Sequence, residues 1–470
     1  MTQPKRDNFF LFSCAAAALF IIGHLTAAIL LCRERLFLDT AYYFFRVVSS
    51  ESFRVEHQRI ILVLSQVLLW LGVKAHQPLH TLMVLYSVTP IVYTGILLFI
   101  SLYYFRSAAA AWMLIACNVC GTYFLYYSPM YEVCYAIVTF GFLWFLTVRG
   151  YHQTMVQMLI YMSLLAICLL GYPVIAMGCV ALLSYMWLFE DKLPKRLLIC
   201  YAIVFAIWLL IKTFWISDYE RAHVRINADE KKMHDVLTQV FSLGYFAQMG
   251  VFAIIRYFIV VFAVSYVTIS TIRLRQYAKA AWASCWFVFL MVFMNLKAGG
   301  DGLIPTIHNE RSFLIMVPIC LAPLLYFSLH HMKKTMAYII LAVLFTDCCF
   351  ESVRTWEHGA YYRDRITQMS ALAHDGLTHG CTKLASPVAS LPKALNEWST
   401  GIEVMIHSTD QGHSVAWVDK EVYDSTNVYI PLDNKHVLLS MNIDPLSEQQ
   451  LNPRYFHMDS SAYCLETERK

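Results

Sequence analysis

The sequence predicts an all-α polytopic membrane protein of about 11 transmembrane helices, followed by a small C-terminal α+β soluble domain. Two observations predict it. Of 470 residues, 59% are hydrophobic and only 14% charged, against about 25% charged in ordinary soluble domains. The charge is also unevenly placed. Residues 1–350 carry 26 Lys and Arg against 16 Asp and Glu, whereas residues 351–470 carry 10 against 16. The first segment holds long charge-free runs, and the second recovers ordinary polarity. This composition excludes a water-soluble globule, a disordered chain and a basic nucleic-acid binder.

Each element follows from the same reasoning. About 20 apolar residues cross the hydrocarbon core, because in lipid the backbone must satisfy its own hydrogen bonds. Phe9–Cys32 carries no Lys, Arg, Asp or Glu. It exceeds the short apolar core of a cleaved signal peptide, so it is a first transmembrane helix. The loop 33–59 follows, with an aromatic-rich amphipathic stretch, Thr40–Val48, expected to lie in the membrane interface. Ile60–Val73 is apolar but too short to cross, and reads as a second interfacial helix. Further spans are expected at His80–Phe105, Ser107–Tyr131 and Val133–Val148. Met155–Phe189 is too long for one crossing, and Gly171-Tyr172-Pro173 divides it into two short spans. Leu197–Ile211, Gly250–Ile272 (interrupted by Arg256), Ala280–Asn295, Ser312–Met332 and Thr335–Thr346 complete the set.

An odd number of crossings places the termini on opposite sides. Lys and Arg in the short loops favour a cytoplasmic N-terminus, which leaves the tail extracytoplasmic and the loops 33–59 and 218–249 on the outer side. In the tail, Tyr361–Leu377 has a helical pattern. Ile402–Ile406, Ser414–Val418, Val428–Ile430 and His436–Met441 look like strands, and Pro445-Leu446-Ser447-Glu448 like a helix start. Cys381 and Cys464, the two tail cysteines, are candidates for a disulfide in an oxidising compartment. No C-x-x-C pair or metal-spaced Cys/His set occurs, so no structural zinc is expected.

The chain has neither a Walker-type phosphate loop nor a G-x-G-x-x-G after a strand, which argues against an ATP-driven pump. Its candidate chemistry lies at helix ends. Asp39 opens the amphipathic stretch, as an N-cap or as a carboxylate held at the membrane surface. His57 and Arg59 lead into Ile60–Val73, as headgroup anchors or as a grip on phosphate. Glu132 stands alone before an apolar span, as a dipole-compatible helix start or an active-site carboxylate. His308-Asn309-Glu310-Arg311 places imidazole and base at a helix mouth, unless it is merely a solvated loop. Arg256 is expected to snorkel to the surface.

In layout the chain resembles the GT-C superfamily of polyprenyl-phosphate-sugar glycosyltransferases, in particular its protein O-mannosyltransferase and aminoarabinose-transferase branch. The residues that carry the resemblance are Asp39-x-x-Tyr42, Arg59 before the interfacial helix, Glu132, and His308-x-x-Arg311 followed by Pro318. The family often has a second acid beside the loop Asp, where this chain has Thr40, and often reads Arg-Tyr where this chain has Arg311-Ser312. The resemblance implies a multi-pass inner-membrane enzyme that takes a sugar from a polyprenyl-phosphate donor to a lipid, glycan or protein acceptor on the outer face, with inversion. Asp39 would be the base and Glu132 would help position the acceptor. His57, Arg59, His308 and Arg311 would bind the phosphate. No cofactor is required with certainty; a divalent metal is possible, although Thr40 weakens that expectation. The alternative is a transporter or flippase of lipid-linked saccharides, which should show mid-membrane ionisable groups and paired halves. An anchor whose tail binds a partner needs far fewer spans.

Overall fold

A computed structural model of the chain describes residues 7–56, 59–190, 193–214, 238, 241–297, 303–304, 306–329, 332–430, 435–440, 444–458 and 461–465. The charge-free runs are helices, as their composition requires. In chain order they are α1 (Asp7–Leu30), α2 (Asp39–Ser50), α3 (Leu62–Lys74), α4 (Leu79–Phe99), α5 (Ala108–Val119), the single-turn α6 (Tyr123–Tyr126), α7 (Glu132–Val148), α8 (Met155–Gly171), α9 (Ile175–Phe189) and α10 (Lys195–Phe214). They continue as α11 (Leu243–Arg256), α12 (Phe258–Arg273), α13 (Tyr277–Lys297), α14 (Ile307–Phe313), α15 (Met316–Ala322) and the 45-residue α16 (Lys334–Thr378).

Among the described residues, six helical stretches are long and apolar enough to cross a membrane: Asn8–Leu30, Leu79–Tyr104, Lys195–Phe214, Tyr277–Leu296, Ile307–Ser328 and Lys334–Thr378. The pair α11 and α12 makes a seventh if counted as one broken span, bent by 105°. These are the helices of a membrane protein. The expected eleven crossings exceed this number because Ser107–Tyr131, Val133–Val148 and Met155–Phe189 form helices of 12 to 17 residues. At 1.5 Å per residue each falls short of a 30 Å core. Gly171-Tyr172-Pro173 divides α8 from α9 as its residues predict, since Pro173 cannot donate to the helix ladder.

The tail begins inside a helix. Continuous helix from Lys334 to Thr378 runs through residue 351, so membrane part and tail share one rod about 68 Å long. Beyond it lies a three-stranded parallel sheet in the order β2 (Ala416–Asp419), β1 (Lys383–Ser386), β5 (Cys464–Leu465), with a short antiparallel pair β3 (His436–Val437) and β4 (Leu446–Ser447). Cys381 and Cys464 are joined in a disulfide. Two expected strands are helical: Ile402–Ile406 lies within α17 (Thr400–Asp410), and Val428–Ile430 ends α18 (Lys420–Tyr429). Short apolar runs have no period long enough to separate helix from strand. Burial on both sides decided the first: Ile402, Met405 and Ile406 are fully buried, and Gly401 lets α17 approach the backbone of Trp417 and Leu439.

Candidate functional site

The site lies at the end of the bundle that carries the tail. α1 and α16 run side by side in the same sense, with Phe9 on Tyr338 and Phe12 on Phe345, ring centroids 5.7 and 5.9 Å apart. The loop that leaves α1 therefore emerges beside the root of the tail.

Asp39 is the first residue of α2, not its cap. The cap position is Leu38, which makes no side-chain cap and holds a left-handed φ of 51°. A β-carbon disfavours that region, so a leucine there is held in place by its surroundings. The Asp39 carboxylate accepts a hydrogen bond from Tyr131 Oη at 3.2 Å. No cation lies within ion-pair distance of it among the described residues. α2 differs from expectation in its surroundings. Eight of its residues, Thr40–Phe45 with Val47 and Val48, are buried; Tyr42 faces Trp398 and Phe45 faces Phe456 of the tail. The helix is roofed by protein where the sequence reading had it at a lipid interface. Burial, with Glu56 hydrogen-bonded to it, pushes the Tyr42 phenol up, so it stays protonated and donates to that carboxylate.

Glu132 opens α7 directly after Tyr131. Arg59 Nη1 donates to its Oε1 at 3.1 Å, while Oε2 is buried and makes no hydrogen bond among the described residues. Two of the sequence candidates thus meet as a pair, and one carboxylate oxygen remains uncommitted. Arg311 lies with its guanidinium 5.9 Å from the Tyr131 ring centroid and makes no ion pair among the described residues. The charges of Asp39, Arg311 and Glu132 all act on Tyr131, and those of Arg311 and Asp39 both act on His308. The structure therefore brings Asp39, Glu132 and Arg311 to Tyr131, with Arg59 joined through Glu132 and His308 on the same segment as Arg311. His57 lies outside the described residues, as do Arg221, Arg225, Lys231 and Lys232 of the loop 218–249. No group of three His, Cys, Asp or Glu converges among the described residues, and Thr40 offers no second carboxylate, so no step below is routed through a metal.

Sequence reasoning missed Glu310 and misplaced Arg256. Glu310 is 6% exposed and accepts from the backbone N–H groups of Phe124 and Leu125, at 2.8 and 3.1 Å, where α6 begins. Arg256 does not snorkel. It stands 3.8 Å from Glu310 and 4.3 Å from the Tyr123 ring centroid, half-buried against the protein. Glu310 pins α14 to the segment that leads to Tyr131, and so sets where its neighbour Arg311 lies.

A trough of about 460 Å³ runs between α1 and α16. It follows the chain from Ala16 to Leu31, about 22 Å at the helical rise. Gly23, Trp112, Phe345 and Trp356 line it, with His24 and Tyr126 supplying polar atoms. Leu19 and Val353, both exposed, stand at its opening. The Arg35 guanidinium is 4.1 Å from the Tyr126 ring centroid and Arg35 is 2% exposed, with Nε and Nη1 lacking hydrogen-bond partners among the described residues. Arg363 stands 5.9 Å from the Trp356 ring centroid. The trough is therefore apolar along its length, with guanidinium groups packed on two of its lining rings.

No protein-family model matches the chain, and neither does any curated protein or solved structure.

Proposed function

We propose that the chain is an integral membrane glycosyltransferase that moves a sugar from a polyprenyl-phosphate donor to an acceptor hydroxyl, with inversion, on the side of the membrane that carries the tail. The observation that carries this reading is the gathering of Asp39, Glu132, Arg59 and Arg311 around Tyr131, from four separate segments of the chain. In the same reading the chain crosses an inner membrane with its N-terminus cytoplasmic and the tail extracytoplasmic.

The chemistry follows from what each group can do. Asp39, with no cation paired to it among the described residues, takes the proton from the acceptor hydroxyl. The acceptor oxygen bonds to the anomeric carbon as the bond from that carbon to the phosphate oxygen breaks. Phosphate is already a good leaving group, so no general acid is needed, in contrast to ordinary glycoside hydrolysis. Arg311 stabilises the charge that builds on the departing phosphate. The uncommitted oxygen of Glu132, whose partner oxygen is held by Arg59, accepts a hydrogen bond from the acceptor. The α1–α16 trough suits a single long hydrocarbon chain, and its guanidinium groups favour an anionic head.

Asp39→Asn tests the assignment. In membranes supplied with polyprenyl-phosphate sugar, the variant is expected to reach wild-type abundance and to transfer no sugar. Full transfer by this variant would exclude Asp39 as the base.

A second reading, a flippase or transporter of lipid-linked saccharides, is favoured by one feature. α11 and α12 form a broken helix bent by 105°, with Arg256 at the break facing the buried Glu310. Discontinuous helices with buried ionisable partners mark many transport pathways. Proteoliposomes separate the two: flux of a labelled lipid-linked saccharide without transfer to acceptor is the transporter outcome.

A further inference from the structure

We propose that the tail is a clamp that positions Asp39, with Glu403 as the positioning residue. The starting point is that α2 is held by the tail at both ends. At its N-terminal end the backbone N–H of Leu38, one residue before Asp39, donates to Glu403 Oε1 at 3.3 Å. At its C-terminal end Asn452 Nδ2 donates to the carbonyl of Val48 and to Glu51 Oε1, each at 3.0 Å. The residues flanking the helix, Leu38 and Glu51, are both left-handed, with φ of 51° and 50°. Neither is glycine, so each conformation costs on its own and persists because neighbours impose it.

Glu403 is itself fixed. Its two oxygens receive Nε and Nη2 of Arg365 at 2.8 and 3.0 Å, and both side chains are 1% exposed. Ser399 Oγ also donates to Oε1. Arg365 donates further to the carbonyl of Ala394 and to Thr400. A bidentate pair of this kind sets direction as well as attraction. Its rigidity passes to Leu38 through one hydrogen bond, and so to the point where Asp39 enters α2. A second tie runs in parallel: Arg33, earlier in the same loop, donates to Asp410 of α17. Catalytic carboxylates need placement within a fraction of an ångström, and supporting groups outside the reacting set supply it.

This inference rests on Asp39 as the base only for its activity readout; the geometry it asserts is tested independently. Two full-length double variants in nanodiscs isolate the hydrogen bond. Arg365→Met with Glu403→Gln removes the ion pair but keeps an acceptor oxygen facing Leu38. Arg365→Met with Glu403→Met removes both, with little change in shape. The first readout is the rate at which a water-soluble carbodiimide modifies Asp39, followed by peptide mass spectrometry. The expected result is a wild-type rate in the Gln variant and a several-fold change in the Met variant. The second readout is transfer, where the Met variant should lose about tenfold in kcat with an unchanged donor KM, and the Gln variant should retain activity. Equal labelling in the two variants overturns the clamp. If the wild-type protein transfers no sugar from any donor, the glycosyltransferase reading falls while labelling still decides the clamp. Should the Met variant not fold, Asn452→Ala releases the opposite end and is expected to change Asp39 labelling in the same way; no change there also overturns it.

Discussion

Single residues in the site divide by what they hold. Arg59 and Glu132 neutralise each other, whereas Arg311 makes no ion pair among the described residues and is available to an anion. Arg311→Ala is therefore expected to leave folding intact and to lower kcat by about 10²- to 10³-fold, the usual loss when one transition-state donor is removed. Steady-state transfer rates at saturating donor check this. Lys at the same position keeps the charge but not the forked geometry, and should restore only part of the rate. His407, in the tail, carries a different prediction. The residue is 2% exposed, neither ring nitrogen finds a partner among the described residues, and burial lowers its pKa from 6.5 to about 4. Between pH 6.5 and 4 the unfolded chain takes up a proton that the folded chain refuses. Stability is thus complete above pH 6.5 and falls on acidification, by a quantity on the order of 3 kcal/mol at pH 4. Thermal melting of the wild type and of His407→Phe across that range measures it, and the Phe variant should lose less.

At the scale of elements, the sequence was most informative where composition alone dictates structure. Charge-free runs became helices, and Gly171-Tyr172-Pro173 became a break. Asp39, Glu132, Arg59 and Arg311 were visible as charges at the ends of such runs, and that position is what gathers them. What stayed hidden depends on partners far away in the chain. Glu310 sits in what reads as a solvated loop, yet it is buried because it accepts from Phe124 and Leu125, about 185 residues earlier. Arg256 looked like a surface anchor until that carboxylate supplied its partner. The run Ile402–Ile406 alternates like a strand and is a helix because both its faces are covered. Gly401 makes this packing testable. A β-carbon there would lie 2.1 Å from the Trp417 carbonyl oxygen and 2.2 Å from that of Leu439. These are backbone atoms that cannot swing aside, so Gly401→Ala should destabilise the tail by about 3 kcal/mol or more. Limited proteolysis of the full-length variant should cut the tail at concentrations of protease that spare the wild type.

For the whole molecule, the ties between bundle and tail include the continuous α16, the contacts on α2, and Asp410, which Arg33 and His80 both approach. The Cys381–Cys464 disulfide closes the tail over a separation of 83 residues. Crosslinks over loops of this size typically contribute about 2–4 kcal/mol. Replacing both cysteines by serine should lower the melting temperature of the tail, and reductant should do the same to the wild type and nothing to the variant. The hydrogen bond from Leu38 to Glu403 has a consequence in time as well as space. Synthesis runs from the N-terminus, so residue 39 enters the membrane early, while its restraint is made 365 residues later. A nascent chain therefore carries its proposed base in an untethered loop throughout most of translation, and acquires the restrained geometry only when the tail has folded against α2. On the proposed reading, the order of manufacture acts as a safeguard, because a prematurely terminated chain lacks the restraint on Asp39.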